Sequence, residues 1–149
     1  MSFTTLAAGE FLEHVLNNAD WALIGDAAGL LQSAADGNLY ASLHSSDPGA
    51  SGNQSTNEVA YTSYARVAVS RDGTKWTVTN NVAQNAAAVT FPKCTGSTAT
   101  ATHVGIGTAA SSTGKLLFRA ALSSSLAISN NIVPSLAAGD VTITGVTSL

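Results

Sequence analysis

A chain of 149 residues is long enough to bury one sizeable core and short for two. Only 10% of its residues are charged against 45% hydrophobic, so neutral hydroxyls and amides must cover much of the surface, as suits a protein packed in an array where low net charge limits repulsion between copies. The formal charge of −3, with six dispersed Lys and Arg, argues against a direct nucleic-acid partner, and the lone Cys94 excludes an intrachain disulfide framework and a cysteine-rich zinc site.

The first predicted element is a helix over residues 5–17, where Leu6, Phe11, Leu12, Val15 and Leu16 share one face at three-to-four spacing. Thr4 or Thr5 can cap its start and Asn17-Asn18 can end it. Residues 21–33 predict a short extended piece at Trp21-Ala22-Leu23-Ile24, then a poorly regular, partly helical stretch over 27–32. At Asp36-Gly37, a turn signal, the hydrophobic period changes to two. Leu39, Ala41 and Leu43 alternate with Tyr40, Ser42 and His44, so one face of this strand should pack inward. Asp47-Pro48-Gly49 ends it, because Pro cannot continue a ladder. Residues 50–58 carry no apolar side chain larger than alanine and read as an exposed loop. Further strands are predicted at 64–70, 75–80, 86–91, 99–108, 115–122, 126–132 and 141–144, with Arg71-Asp72-Gly73-Thr74 as a hairpin turn between the first two of these.

With the strand at 39–44, this pattern predicts an all-β chain: an eight-stranded antiparallel sandwich, jelly-roll-like, with a short N-terminal helical arm. An immunoglobulin-like sandwich is the rival arrangement. Residues 1–36 would form the arm and connector and 37–149 the β-sandwich, a single globular domain overall. No run approaches the roughly 18 apolar residues of a membrane span, and the N-terminus lacks the basic-then-apolar pattern of a signal peptide. Neither a membrane partner nor early export is therefore expected; the chain should be kept in the cytoplasm where it is made until something carries it out.

Candidate chemistry is sparse. His44 lies beside Ser45 and Asp47, and His103 on another strand, but no Gly-x-Ser-x-Gly elbow presents a nucleophile to either. Gly105-Ile106-Gly107-Thr108-Ala109-Ala110 spells a nucleotide-loop pattern but is followed by another turn, not a helix. Its glycines are expected at a strand bend or bulge where backbone approaches backbone. Asp47, Asn53, Asn57 and Glu58 offer hard oxygen ligands without the spacing of a calcium loop. Trp21, Trp76, Tyr40, Tyr61 and Tyr64 are singly placed aromatics, better suited to packing than to a sugar-stacking surface. The expectation is a non-enzymatic protein with no catalytic residues, cofactor or metal.

The stretch Leu39-Tyr40-Ala41-Ser42-Leu43-His44-Ser45-Ser46-Asp47-Pro48-Gly49, with Gly52-Asn53-Gln54-Ser55-Thr56-Asn57-Glu58 and Tyr61-Thr62-Ser63-Tyr64-Ala65-Arg66-Val67-Ala68-Val69, resembles the most recognisable block of a widespread group of small tailed-phage virion proteins. Thr102 to Ala109, Gly114 to Phe118 and Val133 to Asp140 look similar to further parts of that group. Its members look like capsid cement or decoration proteins on one side and tail-fibre proteins on the other. No shaft-forming repeat or heptad is visible, which favours cement. The resemblance thus implies a homo-oligomeric cement protein assembled in the bacterial cytoplasm and bound to the major capsid protein on the outer face of an icosahedral head, where it resists the pressure of packaged DNA. A tail-fibre or receptor- or carbohydrate-binding module is the alternative. Candidate capsid or oligomer contacts are Phe11, Leu12, Val15 and Leu16 on the helix and Gln54 and Asn57 in the loop.

Overall fold

The computed structural model describes residues 2–147. A single helix, α1 (Thr5–Leu16), precedes the strands β1 (Asn38–His44), β2 (Val67–Ser70), β3 (Trp76–Thr79), β4 (Val82–Asn85), β5 (Val89–Thr90), β6 (Ala99–Gly107), β7 (Leu116–Ile128), β8 (Ser135–Leu136) and β9 (Thr142–Thr144). They fall into two compact units, each assembled from separate stretches of chain.

The first unit contains residues up to Gly37, Ser70–Ala88 and those from Ala137 onward. Thr4 caps α1 by accepting the Ala7 N–H on its hydroxyl, and Asn17 closes it with its N–H on the Glu13 carbonyl. Asn18 follows at φ 51°, a left-handed conformation that asparagine tolerates well. Arg71 then satisfies two of the helix's orphan carbonyls, donating to Val15 (2.7 Å) and His14 (2.6 Å). The buried stripe of α1, Ala8, Gly9, Leu12 and Leu16, packs the helix against β3 and β4 of a sheet ordered β3-β4-β9. Gly9 permits the approach, since a Cβ there would run into the Asn80 carbonyl in the β3–β4 turn. Asn85 joins the sheet to the last segment: its Nδ2 donates to the carbonyls of Ala87 and Ala137, and its Oδ1 accepts the Val141 N–H.

The second unit, Asn38–Val69 with Val89–Leu136, holds a four-stranded sheet ordered β2-β1-β6-β7 and a two-stranded ribbon of β5 and β8. β1 and β6 pair antiparallel from Tyr40↔Gly107 to His44↔His103. Paired residues share a face, so Ala41 and Leu43 lie beside Ile106 and Val104, all buried. Tyr61, Tyr64 and Phe91 form an aromatic cluster, with ring centroids 5.2 Å apart for the tyrosines and 6.4 Å for Tyr64 and Phe91. Cys94 is buried and donates to the Gly96 carbonyl.

The chain is all-β with one short N-terminal helix, and β1–β6, β6–β7, β3–β4, β4–β9 and β5–β8 all pair antiparallel, consistent with the expected sandwich class. The strand boundaries differ in instructive ways. The strands predicted at 115–122 and 126–132 are one, β7, because Ser123-Ser124-Ser125 is solvated strand and not a turn. β4 and β8 emerge where no strand was expected. Arg71-Asp72-Gly73-Thr74 does turn the chain, with Asp72 accepting the Thr74 N–H (2.7 Å), but its flanking strands join different sheets, and the hairpin is β3–β4 across Asn80-Asn81. Residues 27–32 form no helix. Asp26 instead accepts the N–H groups of Ala28 and Gly29, and a single bridge joins Trp21 to Leu30. A side chain that bonds its own backbone two or three residues on competes directly with a helix.

Candidate functional site

The alternation in β1 buries Leu39, Ala41 and Leu43 as expected, yet Ser42 and His44 on the opposite face are also 0% exposed. Their cover is the loop over residues 45–58, which folds back on the sheet and is held there by polar side chains. His44 carries one of these contacts. Its Nδ1 lies 2.8 Å from the Thr56 carbonyl, which can only accept, so Nδ1 holds the proton and Nε2 accepts from Ser42 Oγ at 2.9 Å. Burial pushes the His44 pKa below its ordinary value of 6.5, opposed by the bond to Thr56 and the nearby Glu58, so the ring is neutral at neutral pH.

Gln54 is the second anchor and is fully buried. Its Nε2 donates to the Tyr40 carbonyl (3.2 Å), its Oε1 accepts the Ala109 N–H (2.9 Å), and its backbone N–H donates to the Gly114 carbonyl (3.0 Å). Every polar atom of the side chain bonds main chain, joining β1, the loop and the segment after β6. Glycines make the room: a Cβ on Gly107 or Gly114 would overlap the Gln54 amide, and one on Gly105 would lie 2.7 Å from His44 Nε2. The Gly105-x-Gly107 pattern therefore marks where side chains press on the sheet, and the expected backbone-to-backbone approach is not its cause. The anticipated irregularity is present, as a register shift between Ile106 and Gly107.

A third set closes the loop's far end. Arg66 makes a two-pronged bond to Glu58, Nε to Oε1 and Nη2 to Oε2, both at 2.7 Å, and also donates to the carbonyls of Ala109 (3.0 Å) and Ser112 (2.8 Å). The Glu58 carboxylate raises the Arg66 pKa further. Tyr64 donates its hydroxyl to Glu58 (2.9 Å) while accepting the Leu43 N–H (3.0 Å), and burial pushes its pKa far up. An open depression of about 250 Å³ is lined by Glu58, Tyr64, Arg66 and Ser112. Its arginine is already spent on internal acceptors, which leaves no free donor fork for an anion.

The structure distributes the candidate contact residues unevenly. Leu12, Leu16 and Gln54 are buried within the chain's own units, 1%, 0% and 0% exposed. Phe11 is half-buried between Phe3 and Trp21, with centroids 6.0 and 5.9 Å away, and Val15 is half-buried too. Asn57 is exposed, although its amide donates to the Asp47 carbonyl (3.0 Å) and its own carbonyl accepts the Ser45 N–H (2.8 Å). Sequence periodicity missed Ser42, His44, Tyr64 and Arg66 as members of one cluster, because their partners lie far along the chain.

Other candidate groups are engaged similarly. Asp47 accepts the Gly49 N–H, which chiefly lowers its pKa, and pairs with Arg119. Asn53 accepts the Ser55 N–H, and the Glu58 carboxylate belongs to Arg66. No group of three potential metal-ligating side chains occurs among the described residues. Ser42 and His44 have the spacing of a nucleophile and its base, but both are sealed from solvent and Nδ1 meets a carbonyl in place of an orienting carboxylate. The geometry builds a rigid polar clamp whose product is a fixed loop.

Comparison with known proteins gives this architecture its class, a tailed-phage virion protein. The family described as podophage GP4 fiber I protein gp80 matches residues 2–144, nearly the whole chain, and the chain belongs to that family. No curated protein was found to match it. No helix among the described residues is long and apolar enough to cross a membrane.

Proposed function

We propose that the chain is a non-enzymatic structural component of the phage particle, working in several copies as part of a fibre-type projection. The observation that carries this reading is the near full-length match to a family described as a fibre protein. The clamp supports it, since His44, Gln54 and Arg66 are committed to holding a loop and leave no exposed reactive group among themselves. A rigid, weakly charged surface suits repeated contact between copies, where many weak contacts add through multivalency.

A second reading, a cement protein bound to the major capsid protein on the outer face of the head, is favoured by a specific feature. Among the described residues the longest strand has 13 residues and no element repeats into a shaft. Gold-labelled antibody against the chain, imaged on intact particles, separates the two. Label at the tail supports the fibre reading; label spread over the head supports cement and overturns the fibre role. Particles that carry no label overturn both.

A further inference from the structure

β7 is the outer strand of the sheet β2-β1-β6-β7 and at 13 residues is more than twice the usual strand length of about 5–6. Such a flank presents a row of backbone donors and acceptors that another extended strand can satisfy, and proteins that stay apart guard it with Lys, Pro, inward-pointing charge or bulges. From Leu116 to Ile128 there is no Lys, Pro, Asp or Glu. The single charge, Arg119, is turned to Asp47. Among the described residues, no backbone group of β7 bonds outside its own ladder with β6. At its centre the strand is irregular, with Leu122, Ser123, Ser124 and Ser125 unpaired where the β6 register shifts between Ala101 and His103, so the regular stretches on either side of it carry the ladder on offer.

The geometry points to a second copy of this chain as the occupant of that flank, β7 pairing antiparallel with β7. The sequence of the strand is close to palindromic in polarity about Leu122. In that register Leu116 faces the other copy's Ile128, Leu117 faces Ala127, Phe118 faces Leu126, and Leu122 faces its own equivalent. Small residues meet small ones, Ala120 with Ser124 and Ala121 with Ser123. Each Arg119 falls opposite Ser125, so the two cations never meet, whereas like charges set directly opposite would be unfavourable. This is the self-complementarity a two-fold interface requires. The inference rests on the structural reading above and names the surface by which copies join.

The test is the molar mass of the full chain by light scattering at about 100 μM, well above the micromolar end of the range that specific interfaces cover, with hydrogen exchange read across β7. The expected species exceeds the 15.0 kDa chain by a whole multiple, with the β7 amides protected. Ser123→Lys with Ser125→Lys should weaken association at least about tenfold and release those amides, because both new charges crowd the shared flank and the one at position 125 faces the other copy's Arg119. Both serines are exposed and unpaired by β6, so the melting temperature measured at dilution should not change. A wild-type monomer at that concentration, or an oligomer that both lysines leave intact, overturns the proposal. Neither result touches the particle location that tests the structural reading.

Discussion

Gln54→Ala tests the clamp most sharply, because one side chain meets three segments. Its loss orphans the Tyr40 carbonyl and the Ala109 N–H, now bonded at 3.2 and 2.9 Å. Each buried orphan costs about 1–2 kcal/mol, and the vacated space adds about 1 kcal/mol, for a total of about 3–5 kcal/mol. For a chain of this length each kcal/mol lowers the melting temperature by about 2–4 °C, so calorimetry should show a fall of roughly 6–20 °C. Ser51→Ala, at an exposed position of the same loop, should stay within about 0.5 kcal/mol of wild type. Gly107→Ala strikes the same contact from the other side, since its new methyl would overlap the Gln54 amide. With Gln54 already shortened, that methyl finds room, and the double variant should be more stable than the two single losses predict. If Gln54→Ala costs no more than Ser51→Ala, or the pair is strictly additive, the loop is not held as described.

Three further outcomes follow from the same contacts. Because burial lowers the His44 pKa below 6.5, the unfolded state binds the extra proton first; stability is full above about pH 6.5 and declines as pH falls below it, by at most about 1.4 kcal/mol per pH unit. His44→Gln should flatten that slope between pH 7.5 and 5, and an unchanged slope would assign it to another group. Leu12→Ala and Leu16→Ala should each cost about 2–5 kcal/mol by calorimetry, because both face the chain's own sheet; losses below 1 kcal/mol would mean the helix does not rest there. Arg66→Lys keeps the charge but loses the two-pronged bond to Glu58 and the paired carbonyl contacts. Loop 45–58 should then become cleavable by protease, and wild-type resistance in the variant would refute the arginine's role.

Local rules made α1, its Thr4 and Asn17 caps, β1 and the 47–49 turn legible, because each depends on neighbours within a few residues. The rest is set by distant partners. Ser42 and His44 read as solvent-facing because they are polar, but the hydrogen bond between them and the one from His44 to the Thr56 carbonyl let them be buried. The two-residue ribbon of β5 and β8 has too few residues to show a period; its pairing of Val89 with Leu136 bridges 47 residues of sequence. β7 looked broken at Ser123-Ser124-Ser125 because serines usually interrupt strands, while an edge strand beside water tolerates them. The candidate site left one local trace: amides and small hydroxyls between 42 and 57, with glycines at 105 and 107 where a strand would ordinarily carry side chains and at 114 in the connection that follows.

The most direct test of the structural role is a pair of cryo-electron microscopy maps, one of complete particles and one of particles assembled without this chain. The account predicts projecting density, present in several copies at the tail and absent from the second map, into which the β2-β1-β6-β7 sheet with its clamped loop fits. Two identical maps would contradict it.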